Sequence, residues 1–124
     1  MSRVGRLRGV ITKHKGPWAE VCARIYLSCH GLKTVQRNYA CHAGEIDIIM
    51  LDRQTLVFVE VRMRAGGEFG DAVASVGRAK QKRLLRTAHH FLLFQPQFGH
   101  LIYRFDILAI DGRNITWLKN AFEC

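Results

Sequence analysis

Glu45-Ile46-Asp47-Ile48-Ile49-Met50-Leu51 and Leu56-Val57-Phe58-Val59-Glu60-Val61-Arg62, separated by Asp52-Arg53-Gln54-Thr55, decide the fold. Two apolar runs of strand length around a short polar stretch predict a β-hairpin. With Arg53 and Gln54 as a two-residue loop, Asp52 pairs with Thr55. Counting outward then sets Asp47 opposite Glu60 and Glu45 opposite Arg62. Directly opposed residues on one face have Cβ atoms about 4.5–5.5 Å apart. Two carboxylates that close repel, and one takes up a proton unless a cation holds them. Leu56 to Val61 is apolar on both faces rather than alternating, so the strand is expected to be buried on both sides. An unpartnered carboxylate there is costly. The acid pair therefore suggests a metal site, against the simpler reading of a solvated face with a Glu45–Arg62 ion pair.

Outward from the hairpin, Gly16-Pro17 opens a helix, and Ala19, Cys22, Tyr26 and Cys29 follow helical spacing until Gly31 stops it. Glu20 lies beside that stripe, in the first turns. Leu32 to Tyr39 reads as a polar-diluted strand. Gly66 to Gly70, carrying Phe69, is a glycine loop without the Lys-Ser/Thr of a phosphate cradle. Ser75 is the expected cap of a second helix running to about Phe94, with Leu84, Leu85, Ala88, Phe91 and Leu92 as its apolar stripe. Leu101 to Ile110 alternates as a strand, Asp111-Gly112 turns, and Asn114 to Leu118 returns. Helix, three strands, helix, two strands predicts an α/β fold: a mixed central sheet flanked by helices. The expected organisation is a basic N-terminal arm over 1–15 and a single domain over 16–124.

Charge supplies the second constraint. Nineteen Lys and Arg stand against ten Asp and Glu in 124 residues, a formal net charge of +9. In a domain of this size that balance points to nucleic acid ahead of an anionic membrane surface or plain solubility. The cations also cluster: Arg3, Arg6, Arg8, Lys13 and Lys15 in one group, Arg78, Lys80, Lys82, Arg83 and Arg86 in another, with Arg64 between. No run approaches the roughly 18 apolar residues of a membrane span, and no secretory signal pattern opens the chain. The expected address is the cytoplasm, and a homodimer is admissible. Cys22, Cys29, Cys41 and Cys124 form no C-x-x-C pair, which argues against zinc and for reduced core thiols. His89-His90 late in a helix suit its dipole better than catalysis.

Asp47, Glu60 and the Val61 carbonyl offer three hard oxygen ligands, a donor set suited to Mg²⁺ or Mn²⁺. A cation so held polarises a phosphoryl oxygen and acidifies a coordinated water, while Arg62 on the same face as Glu60 neutralises transition-state charge. Asp106 breaks an apolar strand and is either an outer partner of that site or, more commonly for such a residue, a partner for Arg104.

Glu20, Gly44-Glu45-Ile46-Asp47, Phe58-Val59-Glu60-Val61-Arg62-Met63-Arg64, Lys80, Arg104-Phe105-Asp106 and Trp117…Ala121-Phe122 together resemble the YraN family of endonuclease-like proteins. That family looks like a branch of the restriction-endonuclease-like superfamily with its PD-(D/E)-x-K motif, related to archaeal Holliday-junction resolvases. The resemblance spans about Gly16 to Phe122. It implies that Asp47 and Glu60 ligate the metal and that Glu20 is an extra first-helix acid. Where the superfamily pattern has lysine this chain has Arg62, which stays protonated and is a poor general base. Lys80, at the start of the second helix, is the alternative occupant of that role. The expected activity is Mg²⁺-dependent hydrolysis of DNA, with branched or flapped forms among the candidate substrates. The rival from another class is a non-catalytic nucleic-acid-binding module that keeps the nuclease fold. An RNA- or ribosome-associated protein is a weaker third.

Overall fold

Pro17 fixes its own φ and lacks an N–H, which suits it to a helix's first turn. In the computed structural model, which describes residues 16–63 and 76–122, Gly16 caps helix α1 (Pro17–Cys29) at φ 82°. Ala19, Ala23 and Leu27, one turn apart, are its fully buried line. This corrects the expected stripe: Cys22 and Tyr26 are partly buried and Cys29 is exposed. At 3.6 residues per turn, Cys29 is rotated roughly 80° away from Ala19, off the face that small alanines bring close to the sheet.

The remaining elements are β1 (Lys33–Cys41), β2 (Gly44–Asp52), β3 (Thr55–Met63), α2 (Arg78–Phe94), a short 3-10 turn at Pro96–Phe98, β4 (Ile102–Asp111) and β5 (Asn114–Phe122). The five strands form one sheet in the order β1-β2-β3-β4-β5. Every neighbouring pair is antiparallel except β3 and β4, which are parallel. A parallel pair needs a long crossover, and α2 lies within it. The result is the α/β fold with a mixed sheet that the element order predicts. Helix α2 starts at Arg78 behind Gly77, later than a Ser75 cap implies, and Ser75 itself lies outside the described residues. Strand β5 extends to Phe122 rather than ending at Leu118.

Each face of the sheet carries its own core. Ile49, Leu56, Phe58, Phe105 and Ile107 pack against Leu84, Ala88 and Phe91 of α2. Ile48, Met50, Val57, Val59, Val61, Leu108 and Ile110 pack against Ala19, Ala23 and Leu27 of α1. Phe58 stacks on Phe105 at 5.4 Å between ring centres and meets the Phe91 ring edge-on at 6.2 Å. This two-sided burial explains why β3 reads as a continuous apolar run.

Tyr39 ties β1 to α2. Its ring meets Phe91 edge-on at 5.2 Å and its hydroxyl is hydrogen-bonded to His90 Nδ1. Burial, reinforced by the charge of Cys41, pushes the Tyr39 hydroxyl above its ordinary pKa of 10.0. A pKa raised by folding stabilises the native state fully below the unfolded value, and that stability is lost as pH rises through the folded one. Chemical denaturation across pH 9 to 12 is therefore expected to show a shallower alkaline decline in Tyr39→Phe than in the wild type. Equal slopes would remove Tyr39 from the alkaline limb.

Candidate active site

The hairpin register is the one obtained by counting from the loop. Asp52 pairs with Thr55, Leu51 with Leu56, Met50 with Val57, Ile49 with Phe58 and Ile48 with Val59. Arg53, first in the loop, takes φ 59°. The paired register then ends. Beyond Ile48 and Val59, β2 continues with β1 through Tyr39↔Ile46 and Ala40↔Glu45, while β3 continues with β4 as far as Met63↔Ile110. The expected direct opposition of Asp47 with Glu60, and of Glu45 with Arg62, is therefore corrected: the two strands part at this point.

Asp47 sits at the parting. Its Oδ2 accepts a hydrogen bond from the Val61 backbone N–H at 2.8 Å. In a continued ladder that N–H would face the backbone of Ile46, so the side chain substitutes for a lost main-chain acceptor. The pleat of β2 is disturbed here as well. Ile46 packs with Ile49 on the α2 face while Ile48 packs on the α1 face, although residues two apart on a regular strand share a face. Because Val61 N is two bonds from the Glu60 Cα, the Asp47 carboxylate ends up beside Glu60 without being paired to it.

Glu60 lies on the α2 face, and its side chain is only 4% exposed. Two cations converge on its Oε2: Arg62 Nη1 at 3.1 Å and Lys80 Nζ at 3.1 Å. Lys80 reaches it because Lys80, Leu84, Thr87 and Phe91 fall on one side of α2 at helical spacing, and the last three are buried. Arg78, Lys82, Arg83 and Arg86 are exposed on the same helix. Lys80 thus turns inward while its basic neighbours face solvent.

Glu20, in the first turn of α1, is held by Asn38 of β1. With the Asn38 amide assigned nitrogen-first toward it, that nitrogen donates to the two Glu20 carboxylate oxygens at 2.8 and 3.2 Å. Asn38 takes φ 50°, a left-handed conformation that Asn tolerates better than most residues. Its neighbours Arg37 and Tyr39 pair with Ile48 and Ile46, so Asn38 lies alongside Asp47. Asn38 thus links Glu20 of α1 to the strand position beside Asp47, while Glu60 lies on the α2 face, so the three acids are not brought into one cluster among the described residues. In sequence Asn38 reads only as one of the polar residues that dilute the Leu32 to Tyr39 strand, and nothing local marks it as a partner of Glu20.

Among the described residues, no three Asp, Glu, His or Cys side chains group closely enough to hold a metal by themselves. The donors present suit a hard cation nonetheless. Asp47 and Glu60 are 7% and 3% exposed, all their ligating atoms are oxygens, and Mg²⁺ commonly takes one or two carboxylates while keeping waters. The Val61 N–H bond anchors the Asp47 carboxylate, a group type that offers about four acceptor sites. The Val61 carbonyl is the third oxygen of the candidate set.

Asp106 is a different matter. It is fully buried and lies on the face opposite Glu60. It accepts from Arg104 Nε at 2.9 Å and Nη2 at 3.2 Å, from Trp117 Nε1 at 2.9 Å and from the Asn120 backbone N–H at 2.9 Å. Arg104 also bonds Asp52 at 3.1 Å. Burial works against the charge on Arg104, but the bonds and charges of Asp106 and Asp52 outweigh it and hold the guanidinium above its ordinary pKa. The β4–β5 register shifts between Phe105 and Ile107, so that Asp106 faces a bulge where Asn120 adopts φ 51°. Of the two readings left open for Asp106, this is the structural partner of Arg104. Arg3, Arg6, Arg8, Lys13, Lys15, Arg64, Phe69 and Cys124 lie outside the described residues. No helix among the described residues is long and apolar enough to cross a membrane.

Residues 19–110 match the model of a family described as Uncharacterised protein family UPF0102. A UPF0102 protein from Saccharophagus degradans is 45% identical over 114 residues, covering 90% of this chain and 97% of the relative. One from Pseudomonas putida is 46% identical over 114 residues, covering 88% and 93%. One from a Janthinobacterium strain is 49% identical over 108 residues, covering 87% and 86%.

Proposed function

As the chain belongs to the UPF0102 family, we propose from the chemistry of its own site that it is a divalent-cation-dependent endonuclease hydrolysing phosphodiester bonds of DNA, with branched or structured DNA the first substrates to test. One observation carries the reading: two almost fully buried carboxylates, Asp47 and Glu60, beside a parted strand pair, with Lys80 and Arg62 aimed at the second of them. The resemblance to the YraN family and to the PD-(D/E)-x-K nucleases supports it. Asp47, Glu60 and the Val61 carbonyl would hold the divalent cation, which would supply Lewis-acid polarisation and a more acidic water. Arg62 remains charged and steadies negative charge on the phosphate. Lys80 is positioned to exchange its hold on Glu60 for a substrate oxygen. The reading places the protein in the cytoplasm with nucleic acid as its partner.

The test joins two measurements. Calorimetric titration with Mn²⁺ or Mg²⁺ is expected to give saturable heat that disappears in Asp47→Asn, and a panel of linear, flapped and branched DNA is expected to be cut only with the cation present. No saturable heat from the wild type would end the proposal. Arg62, standing where the superfamily pattern has lysine, favours one other reading, a nucleic-acid-binding module with lost chemistry. That reading requires binding of the same panel without cation-dependent cutting.

Arg78, Lys82 and Arg86 repeat at four-residue steps along the exposed side of α2, a geometry suited to backbone phosphates rather than to base reading. Replacing each by Gln is expected to weaken DNA binding uniformly across sequences and to lower the salt slope by about one per residue. Fluorescence anisotropy at several salt concentrations measures both. An unchanged slope in the triple variant would move the contact surface elsewhere.

A further inference from the structure

The far end of β2 and β3, around the Arg53-Gln54 loop, borders a second concavity on which the proposed chemistry makes no demand. This cleft lies between the loop, the end of α1 and β5, and is lined by His30, Asp52, Arg53, Trp117 and Lys119 among others. Its aromatic wall is fixed. Trp117 donates Nε1–H to buried Asp106, and its ring is met edge-on by Tyr26 at 6.5 Å and by His30 at 5.6 Å. His30 is itself held through Nδ1, which donates to the Tyr26 carbonyl at 2.8 Å. Lys119 Nζ lies over the Trp117 ring, 4.5 Å from its centre. The acid on the wall, Asp52, is ion-paired with Arg104, so Arg53 and Lys119, both exposed, set the sign of the cleft.

A rigid indole, an exposed ammonium resting on it and a second exposed cation match one chemical unit: an aromatic ring that carries a phosphate. Stacked bases bind aromatic side chains more strongly than an exposed ammonium does. An incoming base therefore displaces Lys119 from the ring, and the ammonium is released toward the phosphate. We propose that this cleft receives one unpaired nucleotide, its base on Trp117 and its phosphate between Lys119 and Arg53. A base inside a duplex cannot present its face in this way. The inference rests on the nucleic-acid reading above and deepens it. Asp52 lies five positions from Asp47 along β2, about 17 Å of extended strand, and the cleft opens on the α1 side of the sheet.

The test uses the full chain carrying Trp18→Phe, which leaves Trp117 as the single tryptophan; Trp18 is exposed on α1. Emission is followed while a short oligothymidylate, thymidine monophosphate or a blunt duplex is added, and anisotropy of labelled oligonucleotide reports total binding. Saturable quenching by the oligothymidylate, little change with the duplex and a midpoint raised about tenfold by Lys119→Glu are the expected results. Equal quenching by thymidine monophosphate would support the same base-and-phosphate chemistry and assign it to free nucleotide. Binding seen by anisotropy with Trp117 emission unmoved, or an unchanged midpoint in both Lys119→Glu and Lys119→Gln, would overturn the inference and leave the proposed endonuclease standing. Absence of binding by either readout would remove both.

Discussion

Glu60→Gln is expected to lower cation-dependent DNA cleavage by at least about a hundredfold, the scale seen when one preorganised electrostatic group is removed. The substitution keeps volume and hydrogen-bonding capacity and removes only the charge proposed to ligate a metal. The fold is expected to tolerate it, because the cations it strands are not deeply buried. The Lys80 and Arg62 side chains are 35% and 25% exposed, so both can turn to water rather than remain charged in an apolar site. Affinity for uncut DNA should change by no more than about twofold, since the proposed phosphate contacts lie on the exposed cations of α2 rather than on Glu60. Single-turnover cleavage measured beside anisotropy separates the two effects. A Glu60→Gln protein that cuts as fast as the wild type would sink the catalytic assignment and implicate a contaminant.

Asp106→Ala is expected to have the largest effect on stability. It removes the acceptor for a guanidinium, an indole N–H and a backbone N–H at once. Breaking a buried ion pair from one side costs about 3–5 kcal/mol, on the order of 10–20 °C in Tm for a domain of this size. Thermal and urea melts followed by circular dichroism measure it. The double variant Arg104→Met/Asp106→Leu is expected to recover part of the loss, because replacing both charges leaves none stranded. A single-variant loss below about 1 kcal/mol would show that the network is incidental to the fold.

The hairpin was legible because a two-residue loop leaves one register, and because Leu-Val-Phe-Val-Glu-Val announces burial on both faces. Its parting after Ile48 was not legible. That depends on β2 following β1 while β3 follows the distant β4, a choice made by long-range pairing. Lys80 is an intermediate case: it lies one helical turn before Leu84, which marks it as inward, yet its place in a basic run hides the signal. The bulge around Asn120 that wraps Asp106 could not be read locally, since its cause is a carboxylate in another strand. The Ala19–Ala23–Leu27 line was in the sequence but was masked by the cysteines and Tyr26, equally compatible with a helical stripe. Asp47 and Glu60 were brought into view by counting, and the counting placed them slightly wrongly, because the site lies where the regular ladder stops.

The irregularities of the outer strands have a consequence for how these molecules meet one another. Strand β1 shifts register between Thr34 and Gln36 and turns left-handed at Asn38, and Lys33 and Arg37 punctuate its length. Strand β5 carries its own kink at Asn120 beside exposed Lys119. Kinked, cationic margins are poor templates for annealing another polypeptide. Neither flank of the sheet therefore invites lateral growth, and concentrated solutions of the protein should resist fibrillar stacking even though its interior strands are rich in valine and isoleucine.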